Sequence, residues 1–340
     1  MKVLVHGNEL FSTDMLWGFV QAGCEATISI ATNAGQMEQA LEKADADLLI
    51  TLGAPLELKP DIMAFLGNRR PSGVKHIHWD TDGISSTYYR SNSGDGIEMD
   101  VIYAAKPDLV LTICPEMRDF IIQRGFACEM MHYAYSPAYH RPMSIQTVPD
   151  SRISLIASSC ANVYRFYPEH YRYTSLKILL KPLLEQHYPV HLYGDSGFLP
   201  LIRELLGVDF PRENYHGYLP YAHTCAIYNT SFMNMVTQNH NRTITKRTFE
   251  ILGSGGFVLS SDNSEIRTLF TPGRDLVVSS SPEQTMELVQ YYQKHSDEWI
   301  DIRKNAVQSV QNHTYRQRAE FIIRQYQKLI DSGNENGVQN

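Results

Sequence analysis

Residues 242–261 read RTITKRTFEILGSGGFVLSS and carry the clearest indication of the fold. A polar, cationic segment enters a short helix, which ends in a glycine-rich turn that leads into a buried strand at residues 257–260. Arg247 and Glu250 lie three residues apart and therefore share one face of the helix. The stretch predicts an α/β protein with an arginine and a glutamate aimed at the carboxyl end of a parallel sheet.

Two interpretations of Arg247 and Glu250 remain open on spacing alone. At a nucleotide site, the arginine would contact the diphosphate and the carboxylate would accept both ribose hydroxyls. On a solvated helix, the same two side chains would form an i,i+3 ion pair worth a few tenths of a kcal/mol.

Strand-like and helix-like segments alternate on both sides of this stretch. The predicted strands cover residues 2–6, 25–31, 47–52, 75–79, 109–113 and 128–132, and then 153–157, 190–193, 231–236, 257–260 and 276–279. Helices between successive strands imply parallel pairing and doubly wound sheets. We therefore expect two Rossmann-like domains with a ligand cleft between them, at the carboxyl ends of the strands.

The domain boundaries follow from a proline-rich, aromatic segment that interrupts the alternation. We expect a first domain at 1–140, a linker at 141–152 and a second domain at 153–315. Apolar residues at helical spacing predict a last helix at 316–331 that returns to the first domain. The Gly- and Asn-rich residues 332–340 are expected to be a disordered tail.

Composition excludes several classes of protein. The 340 residues include 30 Lys and Arg against 37 Asp and Glu, a net charge of −7 that argues against nucleic-acid binding. Five scattered cysteines without a close pair indicate reduced thiols. The start MKVLVHG predicts a strand rather than a signal peptide, and no window has the roughly 20 apolar residues of a membrane span. A cytoplasmic protein is expected.

Five motifs in the second half resemble the YkvP/CgeB group of proteins, often labelled spore maturation proteins. In order, they are YHGYLPY at 215–221, SFMNM at 231–235, TKRTFE at 245–250 with Gly253 and Gly256, FTPGRDL at 270–276, and HTY-x-x-R at 313–318. The resemblance covers residues 153–323 well and the first half more weakly. It implies a two-Rossmann-domain (GT-B) glycosyltransferase that moves a sugar from a nucleoside-diphosphate donor, with UDP favoured, to an unknown acceptor.

The resemblance also implies roles for individual residues of the second domain. Glu250 would accept the ribose hydroxyls, Arg247 would contact the diphosphate and Asn234 would line the same pocket. Tyr218 and Gly217 would hold the base through stacking and backbone contacts. The first domain would present the acceptor, and the spore-associated label suggests a surface glycan or protein as the product.

One departure from the wider fold class concerns Arg242. Many relatives carry a glutamate near the sugar at this position, two helical turns before Glu250. A cation there could bind phosphate, but it leaves the sugar contacts unassigned. A non-catalytic protein that binds nucleotide or glycan is therefore the main alternative.

The loop after residues 153–157 is a second candidate for phosphate binding. Small residues around Ser159 would let backbone N–H groups approach an anion, and a following helix would add its dipole. Arg165 or Arg172 could then clamp the diphosphate and stabilise it as a leaving group. The alternative for each arginine is a surface ion pair.

The segment HIHWDTD at 76–82 places its alternate side chains on one face of a strand. His76, His78 and Asp80 could hold a metal ion in a hydrolase, but no second cluster with matching spacing follows. We prefer a metal-independent transferase without a cofactor, in which Asp80, then Asp82, then His78 is the candidate base. The alternative is that either aspartate caps the next turn.

His6 lies just before Gly7 at the end of the first strand. This position faces the same cleft, so His6 either contacts the acceptor or is a buried histidine whose hydrogen bonds are satisfied within the protein.

Overall fold

The computed structural model describes residues 1–53, 59–82, 93–143 and 151–337, with side chains up to residue 332. The chain divides into unit 1, Met1–Ser136 with His313–Asn340, and unit 2, Pro137–Asn312. Each unit is built on one parallel sheet, so the prediction of two doubly wound α/β domains is confirmed. Residues 144–150 of the predicted linker lie outside the described residues.

Unit 1 has a six-stranded sheet in the order β2-β1-β3-β4-β5-β6. Its strands are β1 (Lys2–Gly7), β2 (Glu25–Ser29), β3 (Leu48–Leu52), β4 (Lys75–Asp80), β5 (Leu109–Thr112) and β6 (Cys128–Met130). Its helices are α1 (Glu9–Gln21), α2 (Ala34–Ala44), α3 (Pro60–Arg69), α4 (Ile97–Ala105), α5 (Pro115–Gln123) and α14 (Tyr315–Gly337).

The sequence explains most of these elements in local terms. Every residue of the strand LLITL at Leu48–Leu52 is buried, as expected for a parallel strand covered on both faces. Asn8 begins α1 and Asn33 begins α2, because each side chain accepts a hydrogen bond from the first turn of its helix.

Helix α14 returns to unit 1 and packs against α1, as predicted. At the contact, Gly18 of α1 lies directly against the backbone of Tyr315. Arg318 is half-buried and donates from its guanidinium to the carbonyl oxygens of His132 and Tyr133, both at 2.7 Å. The helix continues past residue 331 to Gly337, into the segment predicted to be a disordered tail, and residues 338–340 lie outside the described residues.

Unit 2 has a five-stranded sheet in the order β11-β10-β9-β7-β8. Its strands are β7 (Ile153–Ile156), β8 (Val190–Tyr193), β9 (Met233–Val236), β10 (Val258–Ser261) and β11 (Val277–Ser279). Its helices are α6 (Ala161–Phe166), α7 (Tyr171–Glu185), α8 (Phe198–Leu206), α9 (Thr224–Thr230), α10 (Lys246–Gly253), α11 (Ser264–Leu269), α12 (Pro282–Lys294) and α13 (Ser296–Val310).

Within the described residues, no helix combines sufficient length with sufficient apolar character to cross a bilayer.

We expect Gly18→Ala to destabilise unit 1 by about 1–3 kcal/mol, because overpacking forces backbone shifts. An added Cβ would lie 2.3 Å from the carbonyl oxygen of Tyr315, and backbone cannot move aside as a flexible side chain can. Thermal unfolding of the full chain measures the effect. Gly35→Ala is the matched control, since it adds the same methyl group to the exposed face of α2, where the nearest atom is 3.6 Å away. A Gly18→Ala protein as stable as the wild type would contradict this packing.

Candidate functional site

The strand order of unit 2 defines one crevice at the carboxyl edge of its sheet. The chain leaves β7 towards β8 on one side, whereas it leaves β9 towards β10 on the other. Connections that diverge from two neighbouring strands leave a gap between them, and ligands of open α/β sheets bind at such switch points. The loops after β7 and β9 therefore form the candidate site of unit 2.

Arg172 links these two loops from the first turn of α7. Its Nη1 donates to the side-chain oxygen of Asn239 at 2.8 Å, and its Nη2 donates to the carbonyl oxygen of Ser158. The residue is only 7% exposed, and its Nε has no hydrogen-bond partner among the described residues. A buried guanidinium with an unused N–H is suited to an anionic ligand.

The loop after β7 already binds an anionic group of the protein, the carboxylate of Asp195, which follows β8. Ser159 donates to this carboxylate from its backbone N–H at 2.7 Å and from its hydroxyl at 2.6 Å. Ser158 and Gly197 donate to it as well. The prediction that Ser159 binds phosphate is therefore wrong for this arrangement, because its donors are occupied. Arg165 lies on α6 and is exposed.

Glu250 forms a buried ion pair in α10, but its partner is Lys246. The Nζ of Lys246 lies 2.8 Å from Oε1, with side-chain exposures of 8% and 4% for the lysine and the glutamate. Tyr221 completes a triangle, because it accepts from Lys246 at 2.7 Å and donates to Oε1 at 2.9 Å. Burial alone would raise the pKa of Glu250, but the neighbouring cations, first Lys246, lower that pKa to about 2. The interpretation of Glu250 as one half of a weak ion pair on a solvated helix is therefore excluded, because its carboxylate is buried.

The other two residues predicted from this helix and its strand have different surroundings. Arg247 is partly exposed, and its Nε donates to the hydroxyl of Tyr228 at 3.3 Å. Asn234 is a correction, because it lies in the amino half of β9 rather than at its carboxyl end. Its amide is buried and bonded to Ser154 at 2.7 Å and to the carbonyl oxygen of Tyr228 at 3.0 Å, so Asn234 supports the sheet.

Arg242 lies in the loop after β9 and is exposed. The same loop is held in place by the buried Gln238, which accepts from the backbone N–H of Thr245 at 2.9 Å. Gly217 and Tyr218 lie in the segment after α8, beside the end of the edge strand β8. The carbonyl oxygen of Gly217 accepts from Gly194 at 2.8 Å, and Tyr218 presents an aromatic ring that is 81% exposed.

In unit 1, β4 directs its polar side chains into the interior. Asp80 is fully buried, and its carboxylate accepts from the hydroxyl of Thr112 at 2.7 Å and from the backbone N–H of Asp82 at 3.0 Å. Asp80 therefore caps the following turn. This is the alternative given above to a role as the catalytic base. Asp82 is partly exposed.

The two histidines of β4 converge on one hydroxyl rather than on a metal-ligand cluster. His76 and His78 each have a ring nitrogen within 3 Å of the hydroxyl of Thr51, at 2.8 and 2.9 Å. The Nε2 of His78 lies 3.8 Å from the buried carboxylate of Glu98 on α4. Burial lowers the pKa of His78 to about 4, so its ring is neutral at pH 7. In the ranges that the structure describes, no three His, Cys, Asp or Glu side chains form a metal-binding group.

Sequence reasoning missed three polar partners in these clusters: Lys246, Asp195 and Glu98. Lys246 could have been found, because it lies four residues before Glu250 and so on the same helical face. Asp195 and Glu98 come from elements distant in sequence, and no local spacing connects them with their partners.

Sequence comparison gives one family match. A family model described as glycosyl transferase-like matches residues 172–324. The matched range therefore begins at Arg172 and contains α10. Comparison with curated proteins gives no significant match.

Comparison with solved structures shows the fold. Sucrose-phosphate synthase from Thermosynechococcus elongatus gives a TM-score of 0.66 at 12% identity, over 98% of this chain and 100% of that one. Anabaena HepE in complex with UDP and glucose gives a TM-score of 0.64 at 8% sequence identity, over 96% of this chain and 100% of that one. A glycosyltransferase from Rickettsia africae gives a TM-score of 0.61 at 13% sequence identity, over 97% of this chain and 98% of that one. The fold is that of GT-B glycosyltransferases, whereas the YkvP/CgeB resemblance is not tested and stays a prediction.

We expect Glu250→Gln to destabilise unit 2 by roughly 3–5 kcal/mol, because it leaves the Lys246 ammonium buried without its counter-charge. The double variant Lys246→Met with Glu250→Gln should recover much of that loss. Urea unfolding gives the free energies. The matched control is Glu185→Gln, which breaks an exposed i,i+4 pair with Lys181 and should cost less than about 1 kcal/mol. Equal losses in the two single variants would contradict burial of the Lys246–Glu250 pair.

The stability of unit 1 should fall as the pH drops from 6.5 towards about 4. The pKa of His78 in the folded protein lies below its usual 6.5, so protonation favours the unfolded chain. This contribution is fully present above pH 6.5, and its loss amounts to roughly 3 kcal/mol. Urea unfolding across this range should show a smaller decline for His78→Asn than for the wild type, with His76 accounting for part of the remainder. Identical declines would rule out His78 as the cause.

Proposed function

We propose that this chain is a glycosyltransferase that moves a sugar from a nucleoside-diphosphate donor, first of all a UDP-sugar, to an acceptor hydroxyl. The observation that carries the proposal is the position of Arg172, buried at the switch point with an unused N–H. The glycosyl transferase-like match over residues 172–324 supports it. So does the shared fold with HepE, which was solved in complex with UDP and glucose.

The diphosphate would lie between the loops after β7 and β9. Arg172 offers its Nε there, and α10 begins at the same edge with Thr245, whose side chain makes no capping hydrogen bond. The positive end of the helix dipole and the arginine both stabilise the charge that develops on a departing diphosphate. Arg242 is exposed on the loop after β9 and adds a second cation. Because these groups supply positive charge, we propose that transfer needs no divalent metal ion.

Glu250 remains our candidate for the ribose hydroxyls. A carboxylate has about four acceptor positions on its two oxygens, and the bonds from Lys246 and Tyr221 both fall on Oε1. Lys246 keeps the carboxylate ionised, so it can accept hydrogen bonds across the physiological pH range. The exposed ring of Tyr218 and the backbone of Gly217 are proposed to hold the base.

Asp82 replaces Asp80 as the proposed base for the acceptor. Of the three candidates, Asp80 and His78 are fully buried, and only Asp82 is partly exposed. A base must come within hydrogen-bond reach of the acceptor hydroxyl, and the enclosed carboxylate of Asp80 already uses both oxygens for Thr112 and Asp82. We also propose a cytoplasmic location, because the scattered cysteines indicate reduced thiols. The spore-associated resemblance supports a surface glycan or protein as the acceptor.

We expect UDP to stabilise the full chain in the presence of EDTA. Ligand at a hundred times its dissociation constant adds about 2.7 kcal/mol, a shift of several degrees in the unfolding temperature. Arg172→Ala should lose most of this shift, measured against the unliganded form of the same variant. GDP, ADP, dTDP and CMP run in parallel identify the preferred nucleotide.

Arg203→Ala is the matched control for Arg172→Ala. It removes an arginine of unit 2 whose side chain is exposed and paired with Asp209, so its UDP shift should equal that of the wild type. No stabilisation by any nucleotide would overturn the proposal. Nucleotide binding without donor turnover in an acceptor screen would instead favour the non-catalytic alternative associated with Arg242.

A further inference from the structure

Unit 1 contains a second candidate site, an open cavity of about 650 Å³ at the carboxyl ends of β1 and β2. His6 lines the cavity from the end of β1, and Ser29 and Ile30 line it from the end of β2. Glu9 of α1 and Lys59 also line the cavity and supply its two charged groups. The volume falls within the range typical of small-molecule sites.

His6 is buried in this cavity with one ring nitrogen unused. The residue is 5% exposed, and its Nδ1 lies 3.4 Å from the carbonyl oxygen of Ser29. A carbonyl oxygen can only accept, so Nδ1 carries the proton and Nε2 holds a lone pair. The buried Nε2 has no hydrogen-bond partner within residues 1–53, 59–82, 93–143 and 151–337. A buried acceptor left unpaired costs about 1–3 kcal/mol, which a ligand O–H or N–H would recover.

The remaining walls are suited to a ligand with one apolar face and a polar rim. Ile30 is 90% exposed and presents an aliphatic surface beside His6. Glu9 and Lys59 are exposed, carry opposite charges and form no ion pair within the described part of the chain. A carboxylate accepts hydrogen bonds and an ammonium donates them, so together they satisfy hydroxyl groups, which do both.

We propose that this cavity binds a sugar ring, with one hydroxyl donating to Nε2 of His6 and the C–H face lying against Ile30. A pyranose combines an apolar ring face with hydroxyls around its edge, which matches the arrangement of the walls. Burial also lowers the pKa of His6, so the ring is neutral at pH 7 and its lone pair is available. That the bound sugar is the acceptor of the transfer reaction rests on the proposed function; the binding itself does not.

Saturation-transfer NMR on the full chain tests the proposal, with the methyl β-glycosides of glucose, galactose and N-acetylglucosamine as probes. We expect transfer to at least one glycoside, reduced at least fivefold in His6→Phe, which keeps a buried ring but removes the acceptor nitrogen. Ile30→Asp should reduce it similarly without affecting folding, because the side chain is exposed. His223→Phe, which replaces an exposed histidine of unit 2, is the matched control and should leave transfer unchanged.

UDP stabilisation measured on the same samples separates the two proposals. If UDP binds but no glycoside receives saturation, or if His6→Phe and Ile30→Asp bind like the wild type, the sugar site is wrong and the proposed function stands. If a glycoside binds in a His6-dependent manner and no nucleotide binds, the sugar site stands and the proposed function fails.

Discussion

Parallel pairing of every strand is the constraint on which the rest of this structure depends. It places the carboxyl ends of all strands of a sheet at one edge, so that the loops after them gather there whatever their distance in sequence. In unit 2 this brings Arg172 and Asn239 into contact although 67 residues separate them. The same constraint buries the strands on both faces, and a polar side chain within a strand must then find its partner inside the protein.

This burial explains why Asn234 and Asp80, two chemically plausible site residues, have structural roles instead. Asn234 and Asp80 belong to strands, so their polar atoms are satisfied by neighbouring strands and turns. Glu250 lies on a helix but is equally enclosed, and in a medium of low polarity only its pairing with Lys246 makes the charge tolerable. Residue type therefore suggested a possible chemistry, whereas position relative to the end of the strand decides whether that chemistry can reach a ligand.

The sequence predicted the parts of the molecule that depend on local pattern. The alternation of strands and helices was enough to predict the two doubly wound sheets. The spacing of apolar residues in the last helix was enough to predict its return to unit 1. Arg172 could be proposed because it follows a small-residue loop after a buried strand. Asp195, which bonds to that loop from the end of β8, and Glu98 beside His78 could not be predicted, because each pairing depends on how distant elements pack.

His6 and Asp80 show why hydrogen bonding, once known, is more informative than residue type. Both end strands of the same sheet, both are buried, and either could serve an acceptor hydroxyl by its chemistry. Asp80 has its carboxylate bonded to Thr112 and Asp82, so a ligand would have to displace interactions that already stabilise the fold. The Nε2 of His6 has no such bond among the described residues, and a ligand there gains an interaction without breaking one. The unsatisfied group is therefore the stronger candidate for recognition, although Asp80 carries the more familiar catalytic side chain.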